Sequence, residues 1–120
     1  MWLPNRLQLL VILLLMSPGS ASADFPLSVY DQFKDSQPFQ HYMVGVGRGI
    51  FWATVATTVR GGPRLFCLPD HLALDAGLVH SLLDQEIRKP LGRPSYSPDT
   101  PLELILTNAF VSRFPCPKSQ

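Results

Sequence analysis

The chain has 120 residues, with ten Lys or Arg against nine Asp or Glu for a formal net charge of +1, two cysteines and twelve prolines. A length of this order supports one domain with a modest core, and the near-neutral charge excludes the basic footprint of a nucleic-acid or membrane-surface binder. Two cysteines without a close-spaced partner and three scattered histidines match no zinc pattern, so no metal or other cofactor is expected.

The first 23 residues read as a secretory signal peptide: Arg6 in a short start, an apolar run from Leu7 to Met16, and the small-residue end Ala21-Ser22-Ala23. A membrane anchor is the competing reading, but an apolar run of about ten residues is half of the roughly twenty needed to span a bilayer. Cleavage after Ala23 removes 23 of the 120 residues and leaves a domain of 97, residues 24–120, in which nine basic residues face nine acidic ones.

From Asp24 to Ser36 the chain is polar with Phe25, Leu27, Val29, Tyr30 and Phe33 interleaved, and Ser28 is placed to cap a short helix through Phe33. Pro38 opens a longer one. Phe39, Tyr42, Met43, Val46, Ile50 and Ala53 recur at helical spacings and predict a helix from about Pro38 to Thr57. Gly45 and Gly49 lie one turn apart within it, and close approach of a neighbouring helix is the expected reason for two costly glycines. A phosphate-binding loop at Gly45-Val46-Gly47-Arg48-Gly49 is disfavoured, because the dinucleotide spacing is missing and no strand precedes it. A β-segment over Ile50–Val59, rich in Thr and Val, stays open as an alternative.

Arg60-Gly61-Gly62-Pro63 is a turn. Phe66-Cys67-Leu68-Pro69 leads into a further helix, with Pro69 near its start, Asp70 in its first turn, and Leu74, Leu78, Val79, Leu82, Leu83 and Ile87 forming the apolar stripe until Pro90 ends it near Lys89. The segment from Pro90 to Thr100 is stiffened by three prolines and carries Tyr96 between Arg93 and Asp99. It reads either as a plain connector or as a recognition loop, in which Tyr96 anchors a partner while Arg93 and Asp99 orient it.

The best-marked element follows. Thr100 is suited to an N-cap, Pro101 to the first helical position and Glu103 to the capping-box acid, while Leu102, Ile105, Leu106, Ala109 and Phe110 share one face and Glu103, Asn108 and Ser112 turn from it. Phe114-Pro115-Cys116 stops the helix and holds a thiol at its exit. In an exported chain two cysteines permit one intramolecular pairing, Cys67 to Cys116, which closes a loop of about fifty residues and contributes roughly 4 kcal/mol in the chain-entropy model. Residues 24–120 are therefore expected to fold as an all-α bundle of about four helices with one disulfide.

Tyr42-Met43-Val44-Gly45-Val46, Phe66-Cys67-Leu68-Pro69, the leucine-rich helix and Ala109 to Phe114-Pro115-Cys116 together resemble the Rap/Tai immunity proteins, over roughly Gln37 to Cys116. Where members of that family often carry a cysteine two residues before the tyrosine, this chain has Gln40, so a second disulfide is absent. The resemblance implies an exported helical protein that binds and inhibits a cognate peptidoglycan amidase delivered by type VI secretion, working in the periplasm by occluding the active site. A second copy of the chain is the other partner considered, with no nucleic acid and no membrane after signal cleavage.

Two other classes compete with that reading. His80 and Asp84 stand one helical turn apart and could orient an imidazole as a general base, but no nucleophile elbow accompanies them, and no enzymatic activity is expected. His41 and His71 point to no chemistry. A small adaptor or chaperone of the cell envelope, binding polypeptides through apolar surface, shares the same signal peptide and helices.

Overall fold

The structure is a computed structural model that describes residues 24–89 and 96–118; residues 1–23, where a leader is expected, and Arg93 lie outside the described residues. Among the described residues the fold is all-α. A 3-10 turn, Leu27–Val29, runs into the short α1, Tyr30–Phe33, followed by α2, Gln37–Val59, then α3, Ala76–Ile87, and α4, Leu102–Arg113. The helices share one core, and Cys67 is bonded to Cys116. Ile50–Val59 is helical, so the β-alternative is set aside.

α4 is the centre of that core. Leu102, Ile105, Leu106, Ala109 and Phe110 are all at most 2% exposed, as their spacing requires, and they meet Phe39 and Met43 of α2 and Val79, Leu82 and Leu83 of α3. Phe66, from the segment between α2 and α3, stacks on Phe110 with ring centroids 5.0 Å apart. The start of α4 differs from the sequence expectation. Pro101, not Thr100, precedes the first helical turn, and Glu103 does not fold back on a cap. Instead the extended start of the domain closes that end: Leu102 N–H donates to Phe25 O at 2.7 Å and Leu27 N–H to Thr100 O at 2.8 Å, around an antiparallel bridge of Pro26 with Pro101. Ser28 likewise caps nothing; its N–H donates to Pro98 O at 3.0 Å.

The close-packed glycine of α2 is Gly47, and the assignment of that role to Gly45 and Gly49 is corrected. A Cβ at Gly47 would meet Val79, Phe110 and Leu106 at 3.5 to 3.7 Å, whereas nothing described lies within 4 Å of one at Gly45 or Gly49. Helical phase gives the reason. Gly47 continues the buried row Phe39 and Met43 in steps of four, and a displacement of two residues turns about 200° around the axis, to the solvent side. α2 ends where the turn residues dictate: Gly61 takes φ of 84°, its N–H donates to Thr58 O at 3.0 Å, and Gly62 N–H donates to Thr57 O at 2.9 Å. A Cβ on Gly62 would stand 2.6 Å from Thr57 Cγ2, so the second glycine is required by contact rather than by backbone angle.

α3 begins later than Pro69 and Asp70 suggested. Asp75 is its N-cap, with extended backbone and a carboxylate that accepts from Leu78 N–H at 2.9 Å. The chain from Arg64 to Asp75 is consequently an irregular strap that crosses α2. Near its start it is fastened twice to the chain just past the end of α4, by the disulfide and by Cys67 N–H donating to Phe114 O at 2.8 Å.

Candidate partner-binding surface

Lengths determine where this bundle leaves apolar surface uncovered. α2 has 23 residues and α3 and α4 have 12 each, which at about 1.5 Å per residue makes α2 nearly twice as long as the helices packed on it. Residues of the strap face the last turns of α2. Two adjoining cavities open between them, both lined by Phe51, Leu68 and Asp70. The larger, about 530 Å³, adds Arg48, Trp52, Leu72 and Leu74; the smaller, about 270 Å³, adds Thr54, Val55, Val59, Arg64 and Phe66. Trp52, lining the larger cavity, is 64% exposed and Val59, lining the smaller, 81%, while Leu65 in the strap is 55% exposed, so the cleft and its surroundings present large apolar side chains to solvent. The Thr54 hydroxyl oxygen on the cleft wall is buried and without a hydrogen-bond partner.

The electrostatics of the cleft are lopsided. From Ser36 to Pro69 the only formal charges are Arg48, Arg60 and Arg64, and none of them enters an ion pair among the described residues. The opposite wall carries Asp70, also unpaired there, while Asp75 is committed to its cap. Cations on the helix side and a carboxylate on the strap side would orient an occupant more than they would tighten it.

Tyr96, the partner anchor of the recognition-loop reading, has its hydroxyl turned inward. It is half-buried against the core, donates from its hydroxyl to Glu86 Oε1 at 2.8 Å, and accepts from Asn108 Nδ2 at 3.2 Å. Burial first, and then the bond to Glu86, push its phenol pKa up. Glu86 is itself only 7% exposed, and Lys89 pairs with it while reaching Ser112 Oγ at 3.1 Å. The C-terminal end of the loop is thus stitched to α3 and α4, and Tyr96 has its contacts inside the molecule. Asp99 is exposed, and Arg93 lies outside the described residues.

The remaining polar candidates have structural uses. Asp84 pairs with Arg88 at 2.9 Å, and His80 stacks on Tyr30, with ring centroids 6.4 Å apart and planes at 28°. No bond joins His80 to Asp84 among those described, and His41 and His71 are exposed. Burial pushes the Tyr30 phenol up to about 12, and Asp84 adds to it. No group of three or more His, Cys, Asp or Glu able to hold a metal ion occurs among the described residues, and no described helix is long and apolar enough to cross a membrane. The cleft was missed in the sequence because helical patterns rank residues by burial. The available signal was Trp52 and Val59, large apolar residues standing off the Phe39–Met43–Gly47 row.

Comparison with family models, with curated proteins and with solved structures finds no match to this chain.

Proposed function

We propose that this chain is an exported protein-binding module of the immunity type, which receives a partner protein in the cleft between the end of α2 and the strap. One observation carries the reading: Trp52 and Val59 stand uncovered beside a cleft whose far wall is fastened to the core through Cys67–Cys116. Large exposed apolar residues at a preformed concavity are the pattern of an interface anchor, and a wall held by a disulfide has little conformational freedom left to lose on docking. The arginines of the α2 side, in no ion pair among the described residues, call for acidic groups on the partner next to its apolar anchor. The disulfide is consistent with an exported protein, and the resemblance to the Rap/Tai proteins names the partner: a peptidoglycan amidase in the periplasm, blocked when the complex covers its active site. The contact surface on this reading is the cleft, in place of the Tyr96 loop.

The test is inhibition. Purified mature protein is titrated into the amidase encoded beside it, and peptidoglycan cleavage is followed. Stoichiometric loss of activity that Trp52→Ala weakens tenfold or more supports the reading; undiminished cleavage at saturating protein refutes the amidase as partner. The concave, apolar shape of the cleft also suits an adaptor that holds extended apolar segments. Capture from periplasmic extract separates the two, since an adaptor retains a broad mixture and an immunity protein a single stoichiometric amidase.

A further inference from the structure

A second polar site lies at the opposite end of the bundle from the cleft, where the beginning of the domain meets α4. Glu103 Oε1 accepts from Phe25 N–H at 3.2 Å and from the Tyr42 hydroxyl at 2.6 Å. Its other oxygen, Oε2, is buried and has no hydrogen-bond partner, and no ion pair reaches Glu103 among the described residues. A carboxylate oxygen buried without a partner, on a group held by neutral donors alone, is a costly arrangement that a cation would relieve. The chain beside it is firmly placed. Phe25 O accepts from Leu102 N–H, and the Phe25 ring packs on Phe39 and Tyr42 with centroids 5.5 and 5.0 Å away. Asp24 is exposed, and its nitrogen is the next backbone nitrogen before the one already bonded to Glu103.

We propose that removal of the leader completes this site: the α-ammonium group released at Asp24 turns onto Glu103 Oε2 and pairs with it, latching the new N-terminus to α2 and α4. The inference rests on the reading of an exported, processed chain. Hydrolysis of the Ala23–Asp24 amide by a signal peptidase consumes one water, leaves a carboxylate on Ala23 and leaves a primary amine on Asp24, which is protonated at neutral pH. In the unprocessed chain the same nitrogen is an uncharged amide and cannot supply the cation. Cleavage therefore changes the stability of the domain as well as its location, and the mature form is the better-held one.

Glu103, Asp24 and Tyr42 are the titratable groups that interact with one another at this site among the described residues, and the bond from Tyr42 to Glu103 pushes the phenol up to about 12 and keeps it neutral throughout the range concerned. An ammonium with a partner has its pKa raised in the folded state. Its stabilisation is then fully present below the unfolded value of about 8 and is lost as pH rises through the folded value.

The full chain is produced in a secreting bacterium with isotopic nitrogen, and the processed protein is purified and its N-terminus read by intact mass. The α-amine is then titrated by NMR in the folded parent, in the urea-unfolded parent and in Glu103→Gln. A mass beginning at Asp24, with an amine pKa at least about one unit above the unfolded value in the parent and no such rise in Glu103→Gln, supports the latch. Equal amine pKa values in folded and unfolded parent overturn it, and that comparison stands even where Glu103→Gln fails to fold. A mass beginning elsewhere refutes the processing step itself, and the latch with it, whereas the correct start with an ordinary amine overturns the latch alone.

Discussion

Three glycines on one helix give a sharp test of how α2 is rotated in the bundle. At Gly47 a Cβ makes ordinary contacts of 3.5 to 3.7 Å with Val79, Phe110 and Leu106, so the space is filled by a methyl group and by nothing larger. Gly47→Ala should be close to neutral or stabilising, since alanine is favoured over glycine inside a helix by about 1 kcal/mol. Gly47→Leu adds three further carbons where three buried side chains already touch, and overpacking of this kind costs about 1–3 kcal/mol, partly offset by the same propensity gain. At Gly45 and Gly49 nothing described stands within 4 Å, and leucine there keeps the propensity gain without the clash. For a domain of about one hundred residues 1 kcal/mol moves Tm by about 4–8 °C, so thermal unfolding followed by circular dichroism resolves the two signs. Gly45→Leu and Gly49→Leu should hold or raise Tm, and Gly47→Leu should lower it by several degrees. A Gly45→Leu drop as large as that of Gly47→Leu would falsify the assigned rotation of α2.

Tyr96→Phe removes the hydroxyl shared by Glu86 and Asn108 and should cost about 1–3 kcal/mol, the range for leaving buried polar groups short of a partner; an unchanged denaturant midpoint would mean that Tyr96 is free. Asp75→Ala removes the cap on Leu78 N–H and should cost about 1 kcal/mol, with Asp75→Asn losing less; equal losses would argue against capping. Tyr30, Tyr42 and Tyr96 all have phenol pKa values raised by folding, the first two to about 12. Their contribution is present below the ordinary value of about 10 and is lost as pH climbs through the folded values, so beyond any loss that the α-amine contributes above about pH 8, denaturant midpoints should fall steeply between about pH 10 and pH 12. A midpoint with no further fall between about pH 10 and 12 would refute the raised phenol values.

The α4 face was legible from spacing alone because five apolar residues at steps of three and four leave one orientation that buries them all, and the burial of Leu102 through Phe110 follows that pattern. Cys67–Cys116 was legible because two cysteines admit one pairing. The rotation of α2 was also present in the sequence, in the row Phe39, Met43, Gly47, but the conspicuous Gly45–Gly49 pair drew the reading to the wrong face. At α3, Pro69 and Asp70 imitated a helix start, while the true cap, Asp75, sits the usual three residues before the N–H it satisfies. What local pattern could not supply was long-range contact. Tyr96 reaches Glu86 and Asn108 across ten and twelve residues, and Glu103 gave up its expected cap to hold Phe25, seventy-eight residues away. The cleft arises from unequal helix lengths and a strap pinned at Cys67, which no single segment records.

The most direct test of the cleft as the partner-binding surface is the fluorescence of Trp52. The chain has two tryptophans, Trp2 and Trp52, and removal of residues 1–23 leaves Trp52 alone as the emitter. At 64% exposure it should emit as a solvated indole and be readily quenched by iodide in the free protein. Addition of a stoichiometric amount of the amidase proposed as its partner, with its own tryptophans replaced by phenylalanine, should shift the emission to the blue and protect it from iodide, with Arg48→Glu weakening the titration. Complex formation shown by a sedimentation shift, with Trp52 emission and quenching both unchanged, would contradict the cleft as the docking surface.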